Sequence, residues 1–198
     1  MKKHLQSEAL ARGLKRATKH AGPFAGAAFR ATSVQYANRD DLLTGQGAKR
    51  AGARWNPAGS FATVYLGLTP ETALAETLAQ HRHFGWDDAD AMPFVMVGLE
   101  VSLQTVLDLT DGEVRRALAV SDARMLNDPW RKAKARESLT QAIGRLAFET
   151  GFEGIVVPSA AARGTNNLVV FPGNLTPPGS YLRVVNRDQL PPPPDRKD

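Results

Sequence analysis

Apolar residues recur at helical spacing near the start of the chain, at Leu5, Ala9, Leu10, Leu14 and Ala17, and predict an amphipathic helix over residues 5–20 with a basic outer face. Gly22-Pro23 stops it. Ala27–Thr32 then reads as a short strand. Residues 33–60 carry Gly45, Gly47, Gly52, Pro57 and Gly59 without a clear period, the pattern of a functional loop or of a stretch whose elements are wrongly assigned. Ala62–Leu66 is a β-branched and aromatic strand. Thr69-Pro70-Glu71 supplies an N-cap, a proline at the first helical position and an acid in the first turn, for a helix reaching His83.

Phe94–Val101 lacks polar alternation and predicts a buried strand. Asp111 caps a short helix through Leu118, and Asp128-Pro129 opens a longer one to Thr150, where Gly151 ends it. Ile155–Val157, Leu168–Phe171 and Tyr181–Val185 read as further strands. The mixed order predicts a single α+β domain, a mixed β-sheet core with flanking helices, without the regular alternation of a doubly wound fold. The expected organisation is a basic helix in 1–22, a globular unit over 23–186 and a proline-rich, disordered tail over 187–198.

Charge sharpens this picture when it is divided. Of the 25 Lys and Arg, six lie in residues 1–20 against one acid, Glu8, leaving 19 basic and 19 acidic groups beyond them. The net +5 therefore belongs to the N-terminal helix, and a broad basic face that tracks a phosphate backbone is not indicated. No apolar run reaches the roughly 20 residues that span a bilayer, and the N-terminus lacks the apolar stretch of a secretory signal. With no cysteine, the chain carries neither a disulfide framework nor a thiolate site. These features predict a cytoplasmic protein.

By spacing alone the polar residues are weak signals. The glycine-rich run from Gly45 carries Lys49, Arg50 and Arg54, yet Ala53-Arg54 stands where a Walker A loop needs Lys-Ser/Thr. His81 and His83 are two apart on a helix and point to different faces, and Asp87, Asp88 and Asp90 lack calcium-loop spacing. Glu76 lies off the stripe of Leu74 and Leu78 and reads as a solvated helix residue. Arg30 is a charge in a short apolar strand and needs a partner. Ser159 ends a strand without a nucleophile-elbow motif.

The order of these pieces is more specific than any one of them. The run Gly45-Gln46-Gly47-Ala48-Lys49-Arg50-Ala51-Gly52-Ala53-Arg54-Trp55-Asn56-Pro57 resembles the signature block of the RES family. So do Val64-Tyr65-Leu66 followed by Ala73-Leu74-Ala75-Glu76, and Gly154–Ser159 followed by Asn167–Phe171. The resemblance covers about residues 26–172, with Ala53 where the family usually has a second glycine.

The resemblance implies an ADP-ribosyltransferase-like fold and a toxin of a bacterial toxin–antitoxin pair that consumes NAD+. It implies catalytic roles for Arg30, Glu76 and Ser159, NAD+ binding by Arg54, Tyr65 and Asn167, no metal, and no cofactor beyond NAD+ as substrate. Arg30 and Arg54 suit the pyrophosphate. Glu76 suits the oxocarbenium-like charge that develops on the ribose, Ser159 suits an orienting hydrogen bond, and Tyr65 suits stacking on nicotinamide or ribose. A cognate antitoxin of Xre-like type is the implied partner. Water, phosphate or a protein side chain remain open as acceptors, in the order NAD+ breakdown, then mono-ADP-ribosylation of a specific protein. A non-catalytic basic binding module is the more distant alternative, and direct nucleic-acid binding is not expected.

Overall fold

The computed structural model describes residues 1–88 and 93–190; Asp90 and the polyproline stretch expected from Pro191 lie outside them. The chain opens with α1 (Ser7–Ala17), β1 (Gly22–Ser33), α2 (Arg39–Leu43), α3 (Gln46–Ala51), β2 (Val64–Gly67) and α4 (Pro70–His83). It continues with β3 (Phe94–Asp108), α5 (Gly112–Leu118), α6 (Asp122–Leu126), α7 (Leu139–Thr150), β4 (Gly154–Pro158), β5 (Asn166–Val170) and β6 (Tyr181–Val184). The fold is α+β, a mixed sheet with flanking helices, as the pattern predicted.

The strand order is β1-β2-β5-β4-β3-β6, and β1 also runs antiparallel along β3, so the sheet returns upon itself. β3 and β4 run parallel, joined through α5, α6 and α7. Side-chain alternation divides the apolar residues between two cores. Ile155, Val157, Val169 and Phe171 pack with Leu10 and Leu14 of α1, Val114 and Leu118 of α5, and Ile143 and Ala147 of α7. The other face, with Ala28, Val64, Leu66, Leu99, Val156 and Leu168, packs almost entirely strand on strand.

Local details depart from the pattern for identifiable reasons. The first helix ends at Ala17 and tightens into a 3₁₀ turn over Thr18–His20. β1 runs from Gly22, well before Ala27, because β3 pairs with it along its length. The loop expected over 33–60 contains α2 and α3, both too short for a periodic signal. β3 continues to Asp108 and is not buried on both faces: Val97, Leu99, Val101 and Leu103 are buried while Met96 is exposed.

The largest correction concerns the helix expected from Asp128. Residues 130–132 form one 3₁₀ turn, and α7 starts only at Leu139, behind a capping box of Ser138 and Gln141. Asp128 caps nothing at its own position; its carboxylate accepts from the Thr140 amide and hydroxyl at 3.1 and 2.5 Å. The polar run Arg131–Ser138 has no apolar stripe to bury, so nothing holds it helical.

Candidate active site

β2, β4 and β5 lie side by side, with Asn167 opposite both Gly67 and Val157 in register. Alternation puts Tyr65, Ser159 and Asn167 on the sheet face that α7 covers. α4 approaches the end of β2 closely: a Cβ at Gly67 would lie 2.5 Å from the Ala73 nitrogen, so only glycine fits. Thr69 caps α4 by accepting from the Thr72 amide at 3.2 Å, and the Thr77 hydroxyl donates to the Ala31 carbonyl of β1 at 3.0 Å. The face of α4 toward the sheet is therefore made of small residues, Thr72 and Ala73, while Leu74 is exposed.

This seating brings Glu76 to the strand ends. Its Oε1 accepts from the Ser159 hydroxyl and from Asn167 Nδ2, each at 2.7 Å. Ser159 is buried, and its Oγ also accepts from the Ala161 and Ala162 amides at 3.2 and 2.9 Å. One hydroxyl thus serves as a fixed link between the loop after β4 and the carboxylate. Asn167 Oδ1 is buried and has no hydrogen-bond partner among the described residues. Such an atom is costly to leave unfilled and is suited to a ligand donor. Glu76 is half-buried, not the solvated residue its spacing suggests.

The signature run forms the adjoining wall. Trp55 and Asn56 are buried, and Asn56 Nδ2 donates to the Ala48 carbonyl at 2.8 Å. The Tyr65 hydroxyl accepts from the Trp55 amide at 2.9 Å and donates to Asn56 Oδ1 at 2.8 Å. That hydroxyl is spent on the turn and is not turned to a ligand. Burial pushes the Tyr65 phenol well above its ordinary range, against the opposing effects of the Trp55 amide and Arg54. α7 approaches the same turn so closely that a Cβ at Gly144 would lie 1.9 Å from the Trp55 carbonyl oxygen. At Ala53, the departure from the family pattern, the backbone carbonyl accepts from Gln141 Nε2 at 3.1 Å.

Arg54 is anchored by Nη1 to the Met125 and Leu126 carbonyls at 2.8 and 3.3 Å. Burial draws its guanidinium below the ordinary value, and the charges of Glu76 and Asp128 oppose this. Arg131 is a functional candidate the sequence did not single out. It packs over the Trp130 ring at 4.4 Å, and the same Glu76 charge opposes the effect of its burial. No spacing marks it, because its segment reaches the site only through the fold.

Arg30 is not joined to the Glu76 cluster by any hydrogen bond among the described residues. Its Nη1 donates to the Leu42 carbonyl at 2.7 Å, and burial draws its guanidinium down against the pull of Asp41. Its neighbour Ala31 is nevertheless tied to Thr77, the residue after Glu76. The His81 ring packs between Trp86 and Phe94.

A mixed sheet whose strand ends hold a clamped glutamate within the electrostatic reach of the half-buried Arg54 defines an α+β domain with a polar, anion-compatible site. A family model described as RES domain matches residues 27–192, and the chain belongs to that family. Among curated relatives, NAD(+) phosphorylase MbcT of Mycobacterium tuberculosis strain H37Rv is 29% identical over 126 residues, 63% of this chain and 64% of its own length. Probable NAD(+) phosphorylase Rv3189 of the same strain is 34% identical over 126 residues, 62% of this chain and 54% of its own. The chain thus matches less than two thirds of the length of these relatives. The crystal structure of the M. tuberculosis MbcT-MbcA toxin-antitoxin complex has a chain of the same fold, with a TM-score of 0.70, 24% identity and 89% of each chain covered.

Proposed function

We propose that the chain is the toxin of a toxin–antitoxin pair and an NAD+ phosphorylase, transferring the ADP-ribosyl group of NAD+ to inorganic phosphate and releasing nicotinamide. The observation that carries this reading is Glu76, fixed by Ser159 and Asn167 through one oxygen. The other oxygen accepts no side-chain hydrogen bond among the described residues and, in this reading, faces the ribose. As the nicotinamide–ribose bond breaks, positive charge grows on the ribose, and a pre-oriented carboxylate stabilises that state more than the ground state.

Arg54 binds the pyrophosphate with the donors its backbone anchors leave free. Arg30 is the second guanidinium, reaching the same anion from β1. The unfilled Asn167 Oδ1 accepts a ribose hydroxyl. Ser159 positions Glu76 and is not a nucleophile, since its proton is already committed to the carboxylate. Tyr65 acts through the Trp55 turn. The names of the relatives favour phosphate as acceptor and an antitoxin as partner. The ADP-ribosyltransferase-like character, the Xre-like antitoxin and the cytoplasmic setting belong to the same proposal. Among the described residues no helix is long and apolar enough to cross a membrane.

The test is incubation with NAD+ labelled in its ADP-ribose part, with and without phosphate, in cell extract. ADP-ribose-1″-phosphate together with free nicotinamide is expected. Label in ADP-ribose makes the enzyme a glycohydrolase, and label on a protein band makes it a mono-ADP-ribosyltransferase.

A further inference from the structure

Folding assembles a charged face that the linear order of the chain conceals. Residues 1–20 carry six basic groups and one acid, and residues 112–136 carry seven and three. Hydrogen bonds join the two segments. Arg16 Nη2 donates to the Ala117 carbonyl at 2.8 Å, Arg124 Nη2 to Gln6 Oε1 at 3.0 Å, and Arg136 to the Lys3 carbonyl. Lys2 and Arg136 also form a β-bridge. Together the segments hold thirteen basic groups, Arg131 of the candidate site among them, and four acidic groups, a net +9, while the rest of the chain holds twelve and sixteen, a net −4. The positive charge is thus concentrated in these two segments.

Three cations on this face, Arg16, Arg124 and Arg136, are held in place by neutral oxygens, while Arg115 and Arg116 are ion-paired within it. Among the described ion pairs, only Arg115–Asp122 and Arg116–Glu113 lie within it. Arg16, Arg124 and Arg136 are oriented by carbonyl and amide oxygens instead. Two clefts adjoin at Arg124: one of about 620 Å³ is lined by Arg115 and Arg116, and one of about 690 Å³ by His4, Lys132 and Arg136 together with the carboxylates of Asp128 and Glu137. Interfaces for proteins usually centre on apolar side chains and are depleted of charge. Here the exposed apolar residues Phe84, Trp86 and Met96 lie outside both segments, and only Met1 and Leu5 fall within them. A dense, pre-oriented guanidinium array without an apolar centre matches phosphates spaced along a backbone.

We infer that this face binds the phosphate backbone of a nucleic-acid duplex. The inference does not depend on the reaction at Glu76. It is tested with the full-length protein and a fluorescein-labelled duplex DNA of arbitrary sequence, by anisotropy between about 50 and 200 mM salt. The expected result is a dissociation constant of about 10⁻⁴–10⁻⁶ M that weakens at least tenfold over that range. The triple variant Arg12→Glu, Arg116→Glu, Lys132→Glu is expected to weaken binding by at least tenfold with an unchanged melting curve. The equally charge-reversed Arg82→Glu, Arg183→Glu, Arg187→Glu is expected to change it less than threefold. No binding at the lowest salt, or equal weakening by both triples, overturns the inference. So does capture of a polyglutamate peptide with the duplex ignored, which assigns the face to an acidic protein.

Discussion

The Ser159 hydroxyl donates to Glu76 Oε1 at 2.7 Å while accepting two backbone amides from its own loop. Its single proton has one destination, so the carboxylate is held by a link with no rotational freedom. A hydrogen bond to a charged group contributes about 1.5–3 kcal/mol. Ser159→Ala is therefore expected to lower kcat by about tenfold to a hundredfold with a smaller change in KM. Glu76→Gln removes the charge and is expected to lower kcat by about a hundredfold or more. The double variant should resemble Glu76→Gln alone, because the two residues act as a unit. Independent, multiplying effects in steady-state kinetics would separate them.

The elements of the site were legible in the sequence, but their contacts were not. The Thr69-Pro70 start of α4 and the strand ending at Ser159 were readable from local rules. The partners of Glu76 lie 83 and 91 residues away, a separation that no periodicity bridges. The misplaced start of α7 has a local cause. Asp128-Pro129 looks like a cap, and only the fold shows that its carboxylate serves Thr140. Arg131 was invisible for the same reason, as were the two halves of the basic face.

Gly144 tests whether the seating of the signature turn matters. A methyl group there meets the Trp55 carbonyl at 1.9 Å, backbone against backbone, with no flexible side chain to yield. Gly144→Ala is expected to cost roughly 1–3 kcal/mol, lowering Tm by several degrees in thermal unfolding. Arg54 adjoins Trp55 in the turn, so KM for NAD+ is expected to rise as well. A variant with wild-type Tm would show that α7 and the turn separate freely.

Arg54→Ala is expected to raise KM for NAD+ with little change in kcat, since its proposed contact is to the pyrophosphate and persists from ground state to transition state. Part of any stability loss should trace to the Met125 and Leu126 carbonyls it now satisfies. Arg54→Lys retains charge but not the fork, and is expected to restore only part of the affinity. Full recovery with lysine would mean that the site reads charge alone.

Two buried carboxyls set the acid limit. Burial raises the Glu137 carboxyl, but hydrogen bonds from Arg145, the His4 amide and Ser7 more than reverse this and hold it below the usual range. Glu153 behaves alike, with Ser180, Thr176 and the Gln104 amide as donors. A carboxyl depressed in the folded state contributes stability above its unfolded value, near 4.5, and loses it as pH falls through the folded value. Denaturant midpoints are expected to fall below about pH 4.5. Glu153→Gln should flatten part of that slope while lowering stability at neutral pH.

Tyr65 sets the alkaline limit by the opposite sign. Its phenol is raised by burial far above the ordinary value of 10.0, so the folded chain keeps a proton that the unfolded chain gives up. Stability from this residue is complete below pH 10.0 and declines as pH rises beyond it, because ionisation favours the unfolded chain. The hydroxyl also bridges the Trp55 amide and Asn56. Tyr65→Phe leaves that buried amide unpaired and is expected to cost about 1–3 kcal/mol at neutral pH. It should also lose the part of the alkaline decline that Tyr65 supplies. Denaturant titrations of both proteins between neutral pH and pH 11 separate the two effects. An identical alkaline slope in Tyr65→Phe would assign the decline to other groups. A neutral-pH stability equal to wild type would show that the hydroxyl does not hold the turn.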